Sequence, residues 1–146
     1  MLQSLTIGKL AKKAEVSIDS IRFYERRGLL AEPTRTGSNY RTYPLEAADR
    51  VRFIKHAQKL GFSLAEIQEL LDLQHDPAAS KADVKRKTAE KIKDIRMKIQ
   101  GLSRMLETLE QLDLSCDGDG PIAECPILEA LATDDCQECH HATPKR

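Results

Sequence analysis

A chain of 146 residues, 40% of them hydrophobic, has room for one ordinary domain, or for a small domain with an extension. No apolar run approaches the length of a membrane span and the N-terminus lacks the apolar core of a signal peptide; a cytoplasmic chain with no membrane partner is expected, in which four cysteines point to metal or redox chemistry before disulfides. The zero net charge conceals a gradient, with 12 Lys/Arg against 6 Asp/Glu in residues 1–60, 9 of each in residues 61–112 and 2 against 8 in residues 113–146, so the first part suits a polyanion partner such as nucleic acid.

Thr6 can cap a helix beginning at Ile7, whose residues Ile7, Leu10, Ala11 and Ala14 share one face. Glu15-Val16-Ser17 makes a tight turn. Ser17 can cap a second helix running from Ile18 to about Arg27, with Ile21 and Tyr24 or Glu25 one turn apart, and Gly28 ends it from the C′ position. Two short helices joined by three residues fit a helix-turn-helix. On the second, Arg22, Arg26 and Arg27 can meet phosphates or guanine edges, and Ser20 either. Thr36-Gly37-Ser38-Asn39 is a turn cluster between Thr34-Arg35 and Tyr40-Arg41-Thr42-Tyr43, which suit short strands. A hairpin carrying Arg35 and Arg41 directly after a helix-turn-helix reads as a wing along the phosphate backbone. Pro44 can open the next helix, with Ala47, Val51, Phe53, Ile54 and Leu60 as its apolar members and Gly61 as its stop. Ser63 with Glu66 forms the sequence pattern of a capping box for a further helix that buries Leu64, Ile67, Leu70 and Leu71. Asp76-Pro77 breaks the chain.

A long helix follows, from about Lys81 to Leu114. Its apolar positions Val84, Thr88, Ile92, Ile95, Ile99, Leu102, Leu106 and Leu109 settle from Thr88 onward into alternating steps of four and three, a heptad seam rather than the wider stripe of a helix packed on a globular core. Only Gly101 is out of character, at a cost of about 1 kcal/mol relative to Ala. The chain has little else to cover such a seam, so a homodimer is expected, with Ile92, Ile95, Ile99, Leu102, Leu106 and Leu109 at the interface.

After Leu114 the helical pattern stops. Cys116 and Cys125 bracket the loop Asp117-Gly118-Asp119-Gly120-Pro121-Ile122-Ala123-Glu124, and Pro126 places Cys125 at the start of a new helix, where the helix N-terminus stabilises a thiolate and favours metal binding. Two thiolates with no His between them suit soft ions that accept linear coordination, namely Cu(I), Ag(I), Au(I) or Hg(II). Tetrahedral Zn(II) requires more ligands. The last segment holds Cys136-x-x-Cys139-His140-His141, four donors that could bind a metal by themselves.

The order of these elements, together with the residues Arg22-Phe23-Tyr24-Glu25-Arg26-Arg27-Gly28-Leu29, Tyr40-Arg41-Thr42-Tyr43, Arg52-Phe53-Ile54 and Leu60-Gly61-Phe62-Ser63-Leu64, resembles the MerR family of transcription regulators over residues 5–132. The resemblance implies a mainly α fold. It comprises a winged helix-turn-helix DNA-binding domain (1–75), a dimerisation helix in an antiparallel coiled coil (80–114), a metal-binding loop and short helix (115–132), and a flexible Cys/His tail (133–146). By motif match, Arg22, Tyr24, Tyr40 and Arg41 are DNA contacts, joining Ser20 and Arg35. The paired-Cys loop is that of the metal-sensing branch. Sensors of divalent ions there usually add a Cys near the start of the long helix, and here none precedes Cys116. The segment Ser80-Lys81-Ala82-Asp83-Val84-Lys85-Arg86 resembles the copper-sensing subgroup, in which Lys85 matches a basic residue able to offset the charge of a bis-thiolate centre. The eight-residue loop instead matches mercury-type sensors. The implied function is activation of a metal-resistance or efflux promoter through distortion of double-stranded DNA, with RNA polymerase as partner and Cu(I), Ag(I) or Au(I) as the favoured inducer. Hg(II), or another divalent ion such as Zn(II), Cd(II) or Pb(II), is the alternative.

Two other classes compete. An enzyme built on Cys116 or Cys125 needs a His and an orienting group nearby, yet His56 and His75 lie on the head and His140 and His141 on the tail, and no Gly-rich phosphate loop occurs; no enzyme is expected. A cytoplasmic metal-buffering protein would use the cysteines but has no need of a basic helix-turn-helix and wing.

Overall fold

The computed structural model describes residues 3–38 and 40–133. The chain forms two compact units, Met1–Lys91 and Ile92–Arg146.

The first unit is a helical head with a small sheet. Strand β1 (Ser4–Thr6) leads directly into helix α1 (Ile7–Ala14), and helix α2 (Ile18–Arg26) follows after a short turn. Both helices start where local capping places them: the Thr6 hydroxyl accepts from the Lys9 amide, and the Ser17 hydroxyl from the Ser20 amide at 3.1 Å. The turn between them rests on Glu15, the one non-glycine residue at positive φ (56°) among the described residues. Two side chains from a later helix hold that corner. The Arg52 guanidinium donates to the Lys13 carbonyl at 2.9 Å and the Lys55 ammonium to the Glu15 carbonyl at 2.8 Å, supplying partners to carbonyls that the end of α1 leaves unpaired.

Strands β2 (Thr34–Arg35) and β3 (Arg41–Pro44) form the expected hairpin, and β3 is central in the antiparallel order β1-β3-β2. Thr42 pairs with Thr6 on one side and Thr34 on the other. Pro44 does not open the next helix. It ends β3 opposite Ser4, and helix α3 (Glu46–Lys59) begins two residues later with no side-chain cap. A proline lacks only the N–H and tolerates a strand end as readily as a first helical turn. Helix α4 (Leu64–His75) has the capping box in full: the Ser63 amide donates to Glu66 at 2.6 Å and the Glu66 amide to the Ser63 hydroxyl at 3.2 Å.

The core of the head lies between α1, α2, α3, α4 and the sheet. Leu10, Ile21, Ala48, Val51, Ile54 and Ile67 are fully buried, with Tyr24, Leu29, Tyr43 and Leu71 beside them. Helix α5 (Lys81–Ser115) is 35 residues long, and its first three turns belong to the head. Side chains tie those turns to α4 and to Phe62 just ahead of it. Lys91 is buried, 2.9 Å from Glu66 and over the Phe62 ring at 5.6 Å, and Lys87 pairs with Glu69.

The second unit carries the rest of α5, a single 3₁₀ turn (Ile122–Glu124) and helix α6 (Pro126–Ala132). Along α5 the seam stands open in one chain: Ile92, Ile95, Ile99, Leu102, Leu106 and Leu109 are between 37% and 64% exposed.

Candidate nucleic-acid interface and metal centre

Helix α2 and the hairpin enclose a hollow of about 500 Å³ lined by Ile7, Arg22, Glu25, Arg26, Glu32, Pro33, Arg35 and Arg41. Arg22, Arg35 and Arg41, all expected to meet DNA, therefore converge on one concavity. Arg26 joins them, being one turn beyond Arg22 on the same face of α2. Tyr40 lies at the hairpin tip with its side chain 71% exposed. Ser20 stands on the first turn of α2, where its hydroxyl shares a 2.9 Å hydrogen bond with Ser17. Arg27, by contrast, stacks over the Phe23 ring, 5.3 Å from its centroid, an arrangement that draws its charge onto the protein.

Tyr24 does not join this surface. Its ring is a core residue, 5% exposed, and its hydroxyl donates to Gln58 Oε1 on α3 at 2.8 Å. Burial pushes its pKa above the ordinary value, so it remains a neutral donor. The reason is helical geometry: Tyr24 is three residues after fully buried Ile21 and shares its inward face, whereas Arg22 points to the opposite side.

Two residues of the hollow's framework were not expected as functional. Glu25 accepts a hydrogen bond from the Tyr43 hydroxyl on Oε1, and its Oε2 lies 3.5 Å from Arg41 Nη1. Tyr43 is 2% exposed and its pKa is pushed up to about 12, first by burial and then by the hydrogen bond and charge of Glu25. The available signal was a carboxylate three residues from Arg22 on an otherwise basic face.

At the other end of α5 the helix stops at Ser115. The Cys116 amide donates to the Asp113 carbonyl at 3.3 Å, and the loop then reverses through Gly118 (φ 83°) and Gly120 (φ 103°), conformations that side chains rarely adopt. The Asp119 amide donates to the Asp117 carboxylate at 3.0 Å. Cys125 is the N-cap of α6, with its side chain making no capping bond. Both Cys116 and Cys125 are free thiols of intermediate exposure. Among the described residues no cluster of three or more His, Cys, Asp or Glu that could hold a metal occurs. Two thiols by themselves suit a two-coordinate soft ion, whereas a tetrahedral ion requires four ligands. Lys85 is an exposed residue in the first two turns of α5. Cys136, Cys139, His140 and His141 lie outside the described residues.

A helix-turn-helix with a hairpin wing, both lining one arginine-rich hollow, defines a DNA-binding module of the winged class. Residues 5–74 match the family model described as "MerR HTH family regulatory protein" and residues 48–112 the one described as "MerR, DNA binding". The chain is 44% identical over 125 residues to a mercuric resistance operon regulatory protein of Bacillus cereus, covering 86% of this chain and 95% of that one. It is 38% identical over 141 residues to the regulator CueR of Salmonella typhimurium, covering 97% and 99%. In structure it is similar to the transcription regulator PbrR691 of Ralstonia metallidurans solved with lead(II), with a TM-score of 0.79 at 35% identity, covering 87% of this chain and 98% of that one. The chain belongs to the MerR family of DNA-binding transcription regulators. These relatives are regulators and not enzymes, and among the described residues no helix is long and apolar enough to cross a membrane.

Proposed function

We propose that this chain is a homodimeric, metal-responsive transcription activator whose inducer is a soft monovalent ion, Cu(I), Ag(I) or Au(I), held by Cys116 and Cys125. The observation that carries the proposal is the donor set. Two thiols flank a loop closed by two positive-φ glycines, with no third ligand among the described residues, and no cysteine occurs anywhere in residues 1–115. A second copy of the chain therefore has no thiolate to add from its own helical regions, and a divalent ion that requires three or four ligands is poorly served. When bound, a soft ion supplies two strong metal–sulfur bonds and leaves net negative charge. In an antiparallel coiled coil the first turns of one α5 lie beside the last turns of the other, so Lys85 of one copy can offset that charge at Cys116 of its partner.

The rest is done by the chain itself. The open seam from Ile92 to Leu109 joins two copies and fixes the separation of two heads on a promoter. Drawing Cys116 toward Cys125 reorders residues 117–124 and α6, moves the end of α5, and so alters the angle between heads that stay on the DNA throughout. The promoter is bent and untwisted into a form RNA polymerase can use, a deformation costing a few kcal/mol that the bound heads offset. Only an ion that favours one head arrangement over the other can do this, however tightly it binds.

Hg(II) is the second reading. It also accepts two thiolates, the loop has the mercury-type length of eight residues, and the Bacillus cereus relative is named for mercuric resistance.

The test is promoter transcription beside a DNA-binding isotherm for the wild type, Cys116→Ser and Cys125→Ser, each across Cu(I), Ag(I), Au(I), Hg(II), Zn(II), Cd(II) and Pb(II). Each serine variant is expected to lose induction while keeping its promoter affinity. Full induction of Cys116→Ser, or loss of induction only when Cys136 and Cys139 are replaced, would move the sensor out of the loop.

A further inference from the structure

The hollow that gathers four arginines also contains a carboxylate that a phosphate-binding surface has reason to avoid. Glu25 projects from the same face of α2 as Arg22, and its side chain is 11% exposed. Pointed at DNA it would repel phosphates, so its retention there requires a compensating role. The sheet supplies one. Arg41 and Tyr43 are two residues apart on β3 and so lie on one face of the strand, and both go to the same carboxylate: Tyr43 to Oε1, Arg41 Nη1 to Oε2 at 3.5 Å. One of these partners belongs to the core, since Tyr43 is 2% exposed, and its phenol stays protonated throughout the physiological range. The other faces outward, its side chain 44% exposed. A guanidinium has five donors, and an ion pair through one nitrogen leaves others to be directed at phosphate.

We infer that Glu25 is a positioning residue for DNA recognition: anchored on the core through Tyr43, it fixes the Arg41 guanidinium of the wing relative to Arg22 and Arg26 of the recognition helix, and so sets the spacing at which the two elements meet a duplex. The inference rests on the reading of Arg41 as a DNA contact. Glu25 makes no contact with DNA in this account and acts through Arg41. The bland alternative is a carboxylate that only satisfies the buried Tyr43 hydroxyl. The two differ at Glu25→Gln, which keeps an oxygen acceptor for Tyr43 and removes the charge that holds Arg41.

Full-length wild type, Glu25→Gln, Arg41→Ala and the double variant are titrated with two duplexes of equal length. One is recovered from a random pool by selection on the wild type; the other has random sequence. A thermal melt accompanies each variant. Glu25→Gln is expected to bind the selected duplex about tenfold more weakly and the random duplex as well as or better than wild type, because a repulsive charge has gone. In the Arg41→Ala background it is expected to cost the selected duplex nothing further, since a residue that positions another loses that role once the other is absent. Equal strengthening on both duplexes, no change on either, or a full effect that persists without Arg41 overturns the inference. Should Glu25→Gln melt below the assay temperature, Glu25→Asp decides: it keeps the charge on a shorter arm and is expected to lose selectivity, while wild-type selectivity overturns the inference. Arg41→Ala binding both duplexes as wild type defeats the underlying reading of the wing instead, an outcome separable from the others because it does not involve Glu25.

Discussion

Tyr24→Phe separates the two roles that this residue could hold. The substitution removes a single oxygen from a ring that is 5% exposed, and with it the 2.8 Å hydrogen bond to Gln58. A typical intramolecular hydrogen bond contributes about 0.5–1.5 kcal/mol net. Gln58 is itself exposed, so its freed oxygen can return to water and the loss belongs at the low end, about 0.5–1 kcal/mol. For a head of this size that is a fall in Tm of about 2–8 °C. DNA affinity and its dependence on salt should be unchanged, because counterion release counts only the cations placed on phosphates. The measurements are a thermal melt by circular dichroism and a fluorescence-anisotropy titration at several salt concentrations. An unchanged Tm with a clear loss of DNA affinity would refute the reasoning, since the hydroxyl would then be working outside the core.

Ile99→Asp or Leu102→Asp, at seam positions 57% and 64% exposed in one chain, should convert a dimer into monomers by placing a carboxylate where two apolar surfaces meet. A monomeric wild type by light scattering at micromolar concentration would show that the seam is not an interface. Burial pushes the Glu66 carboxyl up, but hydrogen bonds from Lys91 and Ser63 outweigh it and hold the carboxyl below its ordinary value of 4.5. Its contribution is therefore present above that value and is lost as pH falls through the lower folded one. Melting curves taken between about pH 6 and pH 3 should show a shallower acid-induced fall in Tm for Lys91→Met, and an identical fall would assign the acid sensitivity elsewhere.

What the sequence made legible was what depends on near neighbours. Thr6, Ser17 and Ser63 cap helices because a hydroxyl three residues before an amide needs no distant partner. The heptad steps are likewise local, and they gave the full reach of α5 to within a residue of its observed end at Ser115. Strand β1 was not legible: three residues with one half-buried leucine carry no period, and the strand exists only because β3, almost forty residues later, pairs with it. Pro44 was misplaced because the signal of a first helical turn and that of a strand end are the same residue. For Tyr24 the periodicity that put it one turn from Ile21 indicated the inward face, while family motif matching pointed outward, and the structure follows the periodicity. The positive charge of residues 1–60 also overstated the DNA surface. Arg52 and Lys55 donate to the carbonyls of Lys13 and Glu15, and Arg50 to that of Leu29 at 2.6 Å. Residue counts cannot distinguish a cation that holds a helix end from one offered to a phosphate.

One head and one long helix serve relatives named for mercuric resistance, for CueR and for a lead(II) complex, so the fold by itself does not choose the metal. Choice has to come from what differs at the end of α5, and the quantity that matters there is the number of thiolates, because coordination number separates soft ions more sharply than affinity does. With every cysteine at or beyond position 116, two copies of this chain can raise that number only from the loop or the tail. The tail donors Cys136, Cys139, His140 and His141 could add ligands to the two-thiolate site proposed above. For that reason the metal series belongs on the tail-cysteine variant as well as the wild type. A preference that is the same in both places selectivity in Cys116 and Cys125, and one that shifts from divalent to monovalent ions places it in the tail.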